Sequence, residues 1–311
     1  MSPYDAFLSR RLLHFLAAAD AGNLHRAAET LGLSQPALTV SLRNLEQEID
    51  ATLFERSVKG VTLTPAGELF YRHAGALRTA SRQAQDELKA LRTGEAGTLR
   101  IGAGVAWSAT VLPEVLRDMR RDYPGLSIDL LTGVGDQLAM QFAEGRIDLL
   151  LVAGGLAGQP LEDARREQLV TLPMELVVAR DHPLVGQGPV GVRQIAGYDW
   201  VGFADDDSFL HLSALLTARH GLAPPRMAMR ANSVAALGTF VRGTDAVMVV
   251  ISSLASAMCD ETLVTLPLQE PLWDMPVSLF CRELVAGRPV TLDFTERLRR
   301  AIETVVAQGH A

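Results

Sequence analysis

Between Leu24 and Gly67 the chain reads LHRAAETLGLSQPALTVSLRNLEQEIDATLFERSVKGVTLTPAG. This run constrains the fold most, because its helix starts and stops are spaced for a compact two-helix unit. Asn23 is suited to cap a helix, and Ala27, Ala28 and Leu31 then form one apolar stripe. Gly32 ends that helix, since glycine turns left-handed without a Cβ penalty. Ser34 caps a second helix, and Pro36 falls in its first turn, where a missing N–H costs nothing. Leu38, Leu42, Leu45 and Ile49 recur at steps of four, three and four, which predicts one buried face. The opposite face carries Pro36, Thr39, Val40, Arg43, Asn44 and Gln47, mostly groups that donate to phosphates or read base edges. Two helices in this order place one across a DNA backbone and the next in the major groove. A helical hairpin of another fold has the same periodicity, so the pattern alone leaves both readings open.

The residue identities narrow the choice. Ala27–Ala28, then Ser34-Gln35-Pro36-Ala37, Leu45–Glu46, Leu53-Phe54-Glu55-Arg56 and Leu63-Thr64-Pro65-Ala66-Gly67 stand in order. This series resembles the N-terminal domain of LysR-type transcriptional regulators. The resemblance implies a winged helix-turn-helix that binds a double-stranded DNA operator. Ser34, Gln35, Pro36, Thr39, Val40, Arg43 and Asn44 would face the major groove, and Arg56 and Lys59 would reach phosphate or a minor groove from the wing. Three departures bear on operator preference. Thr39 replaces the usual serine and keeps its hydroxyl. Val40 replaces a frequent basic residue and suits a thymine methyl. Asp50–Ala51 stands where glycine usually precedes Leu-Phe-Glu-Arg.

Charge adds an expectation about assembly. Through Glu95 eleven Lys and Arg balance eleven Asp and Glu, so the net charge of −7 belongs to the rest of the chain. A DNA-binding domain that is neutral must place its few cations well and gain from a second copy. Thr64–Pro65 opens a helix, with Thr64 as cap, and helical periodicity continues from Ala66 to about Arg92, roughly 40 Å. Phe70, Ala74, Leu77, Ser81, Ala84, Leu88 and Leu91 alternate by four and three along it, a dimerisation seam. The resemblance likewise implies a homodimer or homotetramer. Gly94–Gly97 reads as a flexible joint.

Beyond Thr98 strand and helix patterns alternate, which implies βαβ units and a mostly parallel sheet. Strands are predicted at 99–102, 126–131, 147–152, 175–179, 200–203, 227–230, 246–251 and 276–282. Helices are predicted at 112–122, 137–144, 208–220, 234–241 and from about Val290 to Ala307. Arg100-Ile101-Gly102, Leu112–Pro113, Tyr123–Pro124, Gly145-Arg146-Ile147-Asp148 and Val241-Arg242-Gly243 extend the resemblance over nearly the whole chain. The expected fold class is an α/β effector domain, two-lobed and periplasmic-binding-protein-like, behind an all-α winged helix-turn-helix domain. The expected boundaries are 1–65 for the DNA-binding domain, 66–96 for the linker helix and hinge, and 97–311 for the effector domain. Lobe I would hold 97–171 plus 275–311, and lobe II 172–274.

Ligands of open α/β sheets bind beyond the carboxyl ends of strands. That rule nominates Gly104, Ala106, Trp107, Ser108 and Thr110 after the first strand, and Thr132 and Gly133 after the second. In the other lobe it nominates Phe203, Asp205, Asp206, Ser208, Asn232 and Ser233. The resemblance makes the occupant a small-molecule effector. The aspartates at 205–207 favour amine or hydroxyl groups on it, although a solvated loop and a helix cap would look the same. Cys259 and Cys281 read as packed thiols rather than a redox pair. The seven histidines lack metal-ligand spacing, and no Walker loop or GxSxG occurs, so neither metal, cofactor nor enzymatic turnover is expected. With no leader pattern or membrane-length apolar run, a cytoplasmic regulator is expected. A contact with RNA polymerase stays open.

Overall fold

The computed structural model describes residues 8–57, 60–93, 97–154, 164–204 and 206–309. The chain divides into two compact units, residues 1–98 with 141–147, and residues 99–140 with 148–311.

The first unit opens with α1 (Arg10–Ala21), α2 (Leu24–Leu31) and α3 (Gln35–Glu48). The Asn23 side chain accepts from the N–H groups of His25 and Arg26, and Ser34 accepts from that of Ala37 at 3.3 Å. Gly32 is left-handed at φ 66° and closes α2. Leu38, Leu42 and Leu45 are buried, while Ile49 ends α3 and is half-exposed, so the apolar face is one residue shorter than its periodicity suggests. The two-stranded wing follows, β1 (Phe54–Ser57) antiparallel to β2 (Gly60–Leu63). Phe15 is the centre of the core, its ring 4.9 Å from Phe70 and 5.3 Å from Phe54. Glu46 fastens α3 to the wing: its Oε1 accepts from the N–H of Leu53 at 2.8 Å and of Phe54 at 3.2 Å. Asp50 has φ 50°, the left-handed region that glycine enters freely. Asp50→Gly is therefore expected to stabilise this unit by up to about 1 kcal/mol. Urea unfolding would read this as a higher midpoint at unchanged slope, and an unchanged or lower midpoint would refute it.

Thr64 caps α4 (Pro65–Thr93), accepting from Gly67 N–H at 2.9 Å and donating to the carbonyl of Thr52 at 2.6 Å. The predicted seam of α4 is corrected here. Ala74 and Ser81 are buried and Phe70 packs on the core of its own unit, so these three face inward within a single chain. Leu77 and Leu88 stay more than half exposed, and Leu69 is about half exposed. A 3.6-residue period drifts away from a strict heptad, and the aromatic cluster around Phe15 claims the first members. Ala84 is half-buried, and the side chain of Leu91 lies outside the described residues.

The second unit takes in β3 (Thr98–Gly104) from Leu99 onward, α5 (Val105–Ala109), α6 (Leu112–Asp122), β4 (Ser127–Gly133), α7 (Gly135–Ala143) as far as Met140, β5 (Leu149–Ala153) and β6 (Ala164–Ala179). It continues through α8 (Val192–Ile195), β7 (Trp200–Gly202), α9 (Asp207–Arg219), β8 (Met227–Arg230), α10 (Val234–Arg242) and β9 (Val247–Ile251). Then come α11 (Ser252–Met258), β10 (Leu263–Leu266), β11 (Asp274–Arg282), α12 (Glu283–Ala286) and α13 (Pro289–Gly309). The strand order is β4-β3-β5-β11-β6-β9-β7-β8, with β10 also on β6. β6 is the element that joins two strand sets. Residues 164–173 pair with β11, whereas Met174 onward pairs with β9 and β10. Pro173 stands at the change of partner, where a missing N–H breaks no ladder bond. The first half of β6 was not predicted, because AlaArgArgGluGln is polar, and β10, α5, α8, α11 and α12 are too short to show a period.

Arg100 and Asp148 explain one pair of sequence motifs. Both are buried, their side chains approach to 3.8 Å, and Asp148 N–H donates to the Arg100 carbonyl at 2.9 Å where β3 meets β5. Burial pushes the Cys281 thiol up to about 11 and raises that of Cys259, so both are held as thiols. Among the described residues no helix is long and apolar enough to cross a membrane.

Candidate DNA interface and effector cavity

Ser34 is committed to capping, which fixes the direction in which α3 leaves the turn. Gln35, Pro36, Val40, Arg43, Asn44 and Gln47 are exposed on that helix and Thr39 is half-buried. Val40 is 55% exposed, so this branched apolar side chain is no part of the core. Gln35, Arg43 and Asn44 have no hydrogen-bond or ion-pair partner among the described residues. The back of α3 is held to α1 by an Arg11–Glu48 ion pair and by a 2.7 Å hydrogen bond between His14 Nδ1 and Ser41 Oγ. Burial lowers the His14 pKa, with Arg10 adding to the shift. The wing is tethered by Val61 N–H, which donates to the carbonyl of Gly22 at 3.1 Å. Arg56 lies on β1, its side chain outside the described residues, and Lys59 lies outside them altogether.

A charged cluster that sequence reasoning missed lies inside the first unit. Arg78 on α4 donates through Nη1 to Asp20 at 3.0 Å and through Nε to the carbonyl of Glu144 at 2.9 Å. Arg146 meets Asp20 at 2.7 Å and Glu144 at 2.8 Å. Tyr71 Oη donates to Asp20 as well. The signal for Arg146 was its place in Gly145-Arg146-Ile147-Asp148. Nothing in the sequence pairs it with Asp20.

In the second unit a cavity of about 110 Å³ opens between the two strand sets. Gly104, Ala106, Trp107, Gly133, Phe203, Asp206 and Ser208 line it, as the strand-end rule expects. Five nominated residues do not. Ser108 Oγ donates to the carbonyl of Val105 at 3.0 Å, and Thr110 Oγ1 to that of Ala106 at 2.8 Å, so both hydroxyls are bound to their own backbone. Thr132 alternates with Gly133 along β4 and points away. Ser233 caps α10 through Ala236 N–H at 3.2 Å, and Asn232 is exposed beside it. Asp205 lies outside the described residues. Sequence reasoning missed Val152 and Ala153 at the end of β5, Val249, Val250 and Ile251 on β9, and Met174 at the partner change of β6. The same rule applied to β5 and β9 would have found most of them. Asp206 caps α9 by accepting from Phe209 N–H at 2.9 Å.

Comparison with known proteins agrees with this anatomy. The family model described as "Bacterial regulatory helix-turn-helix protein, lysR family" matches residues 9–68, and "LysR substrate binding domain" matches residues 92–303. PcaQ of Agrobacterium fabrum, an HTH-type transcriptional regulator, is 29% identical over 277 residues, 88% of each chain. GbpR of Azospirillum brasilense, also an HTH-type transcriptional regulator, is 29% identical over 314 residues, 94% of this chain and 89% of that one. Among solved structures, CbnR, a LysR family transcriptional regulator, superposes with a TM-score of 0.60 at 22% identity, over 94% of this chain and 98% of its own. Full-length OxyR from Pseudomonas aeruginosa gives 0.62 at 20% identity, over 94% and 93%. At those identities the structures speak for the fold alone. With both halves matched by their own sequence models, the chain belongs to the LysR family, as a DNA-binding transcriptional regulator with a substrate-binding domain for a small-molecule effector.

Proposed function

We propose that Gln35, Pro36, Thr39, Val40, Arg43 and Asn44 read an operator in the major groove while Arg56 and Lys59 hold phosphate from the wing. The observation that carries this reading is the unpartnered, exposed face of α3, opposite a fully packed one. A structure of full-length CbnR with its target DNA, at a TM-score of 0.51 over 94% of this chain and 98% of that one, supports a DNA partner. The protein acts in the cytoplasm as a homodimer or homotetramer, with Leu77 and Leu88 of α4 as the exposed apolar contacts. The cavity of the second unit holds the effector, whose differential affinity for two conformations shifts DNA binding. No catalysis or cofactor is assigned to it, in keeping with relatives that are transcriptional regulators.

Titration on DNA flanking the coding region tests the assignment. Gln35→Ala and Thr39→Ala are each expected to cost about 1–3 kcal/mol in specific binding and little in non-specific binding. Arg56→Ala is expected to weaken both and to reduce the salt slope by about one. Equal affinity of all three variants and the wild type on every sequence would remove α3 from the recognition role.

A further inference from the structure

The outer face of α3 carries an apolar group that the fold does not use. Val40 stands two residues from both Leu38 and Leu42, which are buried. At about 100° per residue it lies nearly opposite that packed face. Its side chain is 55% exposed. Pro36 and Ala37, one turn earlier on the same surface, are exposed too, and neither side chain can form a hydrogen bond. Arg43 and Asn44, one turn later, are exposed and have no hydrogen-bond or ion-pair partner among the described residues. Around Val40 the surface thus changes from apolar on the N-terminal side to hydrogen-bonding on the C-terminal side.

Valine also makes this position rigid. A β-branched side chain holds nearly one rotamer in a helix, so its two methyl groups have fixed directions. A straight-chain residue suits an exposed helix better, so the fold gains nothing from valine here. The neighbouring hydroxyl is unused as well. Thr30 and Thr79 donate to the carbonyls four residues back, at 3.0 and 3.1 Å. The Thr39 hydroxyl makes no such bond and has no partner among the described residues.

The chemistry of the major groove decides what Val40 can meet there. Phosphate and sugar oxygens, and the nitrogens and oxygens of the base edges, all call for a hydrogen-bonding partner. Valine against any of them removes water and returns nothing. The apolar feature of the groove is the C5-methyl group of thymine, which 5-methylcytosine carries at the same place.

We infer that Val40 makes this protein a reader of one C5-methyl group: at the base that Val40 faces, binding favours thymine or 5-methylcytosine over uracil or cytosine. The inference rests on the reading of α3 as the helix that enters the major groove.

The full chain is first used to select its site from a pool of randomised duplexes. Thymines of that site are then exchanged one at a time for deoxyuridine, which removes the methyl group and keeps the pairing. At the thymine that Val40 faces, the exchange is expected to weaken the wild type about fourfold, the worth of one buried methyl group at about 0.8 kcal/mol. In Val40→Ala, a change toward the better helix former, the same exchange is expected to cost less than about 1.5-fold. Thr39→Ala is expected to keep the full loss, which separates methyl reading from a general weakening of α3. With a C·G pair at that position, C5 methylation is expected to raise wild-type affinity about fourfold, and that of Val40→Ala less than about 1.5-fold. If no thymine of the selected site shows a loss that depends on Val40, the inference is overturned, and α3 keeps its place in the groove if Gln35→Ala still weakens that site. No gain on methylation overturns the 5-methylcytosine half alone. A pool that yields no enriched sequence overturns the inference together with the reading of α3.

Discussion

Replacing Gly67 by alanine is expected to destabilise the winged-helix unit by about 3–4 kcal/mol and to abolish operator binding at working temperature. A Cβ built on Gly67 would stand 2.1 Å from the carbonyl oxygen of Leu53 and 3.0 Å from its carbonyl carbon. The obstacle is backbone, which cannot swing aside as a side-chain tip can. That carbonyl already accepts the N–H of Thr64 at 3.0 Å, and the N–H of Leu53 is held by Glu46. Moving it by the ångström needed would strain the start of α4, the wing and the end of α3 together. In a unit of this size about 3 kcal/mol lowers the melting midpoint by more than about 10 °C. Thermal unfolding would show it, and a midpoint within about 2 °C of wild type would show that the junction yields. Glu46→Ala tests the same junction from the other side, since it orphans two wing N–H groups without adding an atom.

Gly67 also marks what the sequence can disclose. The motif Leu63-Thr64-Pro65-Ala66-Gly67 announced a helix start, and the structure supplies the reason for its last residue, which is contact rather than turn geometry. Caps and breakers were legible because they act over three or four residues: Asn23, Gly32, Ser34 and Thr64 each do locally what their side chains dictate. The cavity was half legible. The rule that ligands sit beyond strand ends found Gly104, Trp107, Gly133 and Phe203. It could not tell which hydroxyls would be consumed by their own helix, as those of Ser108 and Thr110 are. The α4 seam was misread at Phe70, Ala74 and Ser81 because periodicity identifies a face without saying what covers it. Long-range pairing was least legible of all: no spacing relates Asp20 to Arg146 across 126 positions of sequence.

That pairing carries the second large effect. Arg78→Met keeps most of the apolar stem and deletes the guanidinium, and it is expected to cost about 3 kcal/mol. Asp20 and Arg78 have side chains only 18% and 16% exposed, so solvent screens their attraction little. In the wild type the charges of Asp20, Glu144, Arg78 and Arg146 cancel, whereas the variant leaves two carboxylates facing Arg146 alone. It also frees the carbonyl of Glu144, which Arg78 otherwise binds. The double variant Asp20→Asn, Arg78→Met should therefore lose less than the sum of the single losses, by about 1 kcal/mol or more, and strict additivity in urea unfolding would dissolve the pair. Glu144 adds a signature in pH. Its burial raises its carboxyl above the ordinary 4.5, with Arg146 opposing the shift only in part. The folded protein thus holds this proton more tightly than the unfolded chain does. The stability it contributes is fully present below 4.5 and is lost as pH rises through the raised value, opposite to an ordinary ion-paired carboxylate. Measured against Glu144→Gln, which keeps an acceptor for Arg146 and cannot ionise, the wild type should gain relative stability as pH falls from 7 toward 4.5. A difference that stays flat, or that favours the glutamine at low pH, would mean that the two arginines, not burial, set the charge of this group.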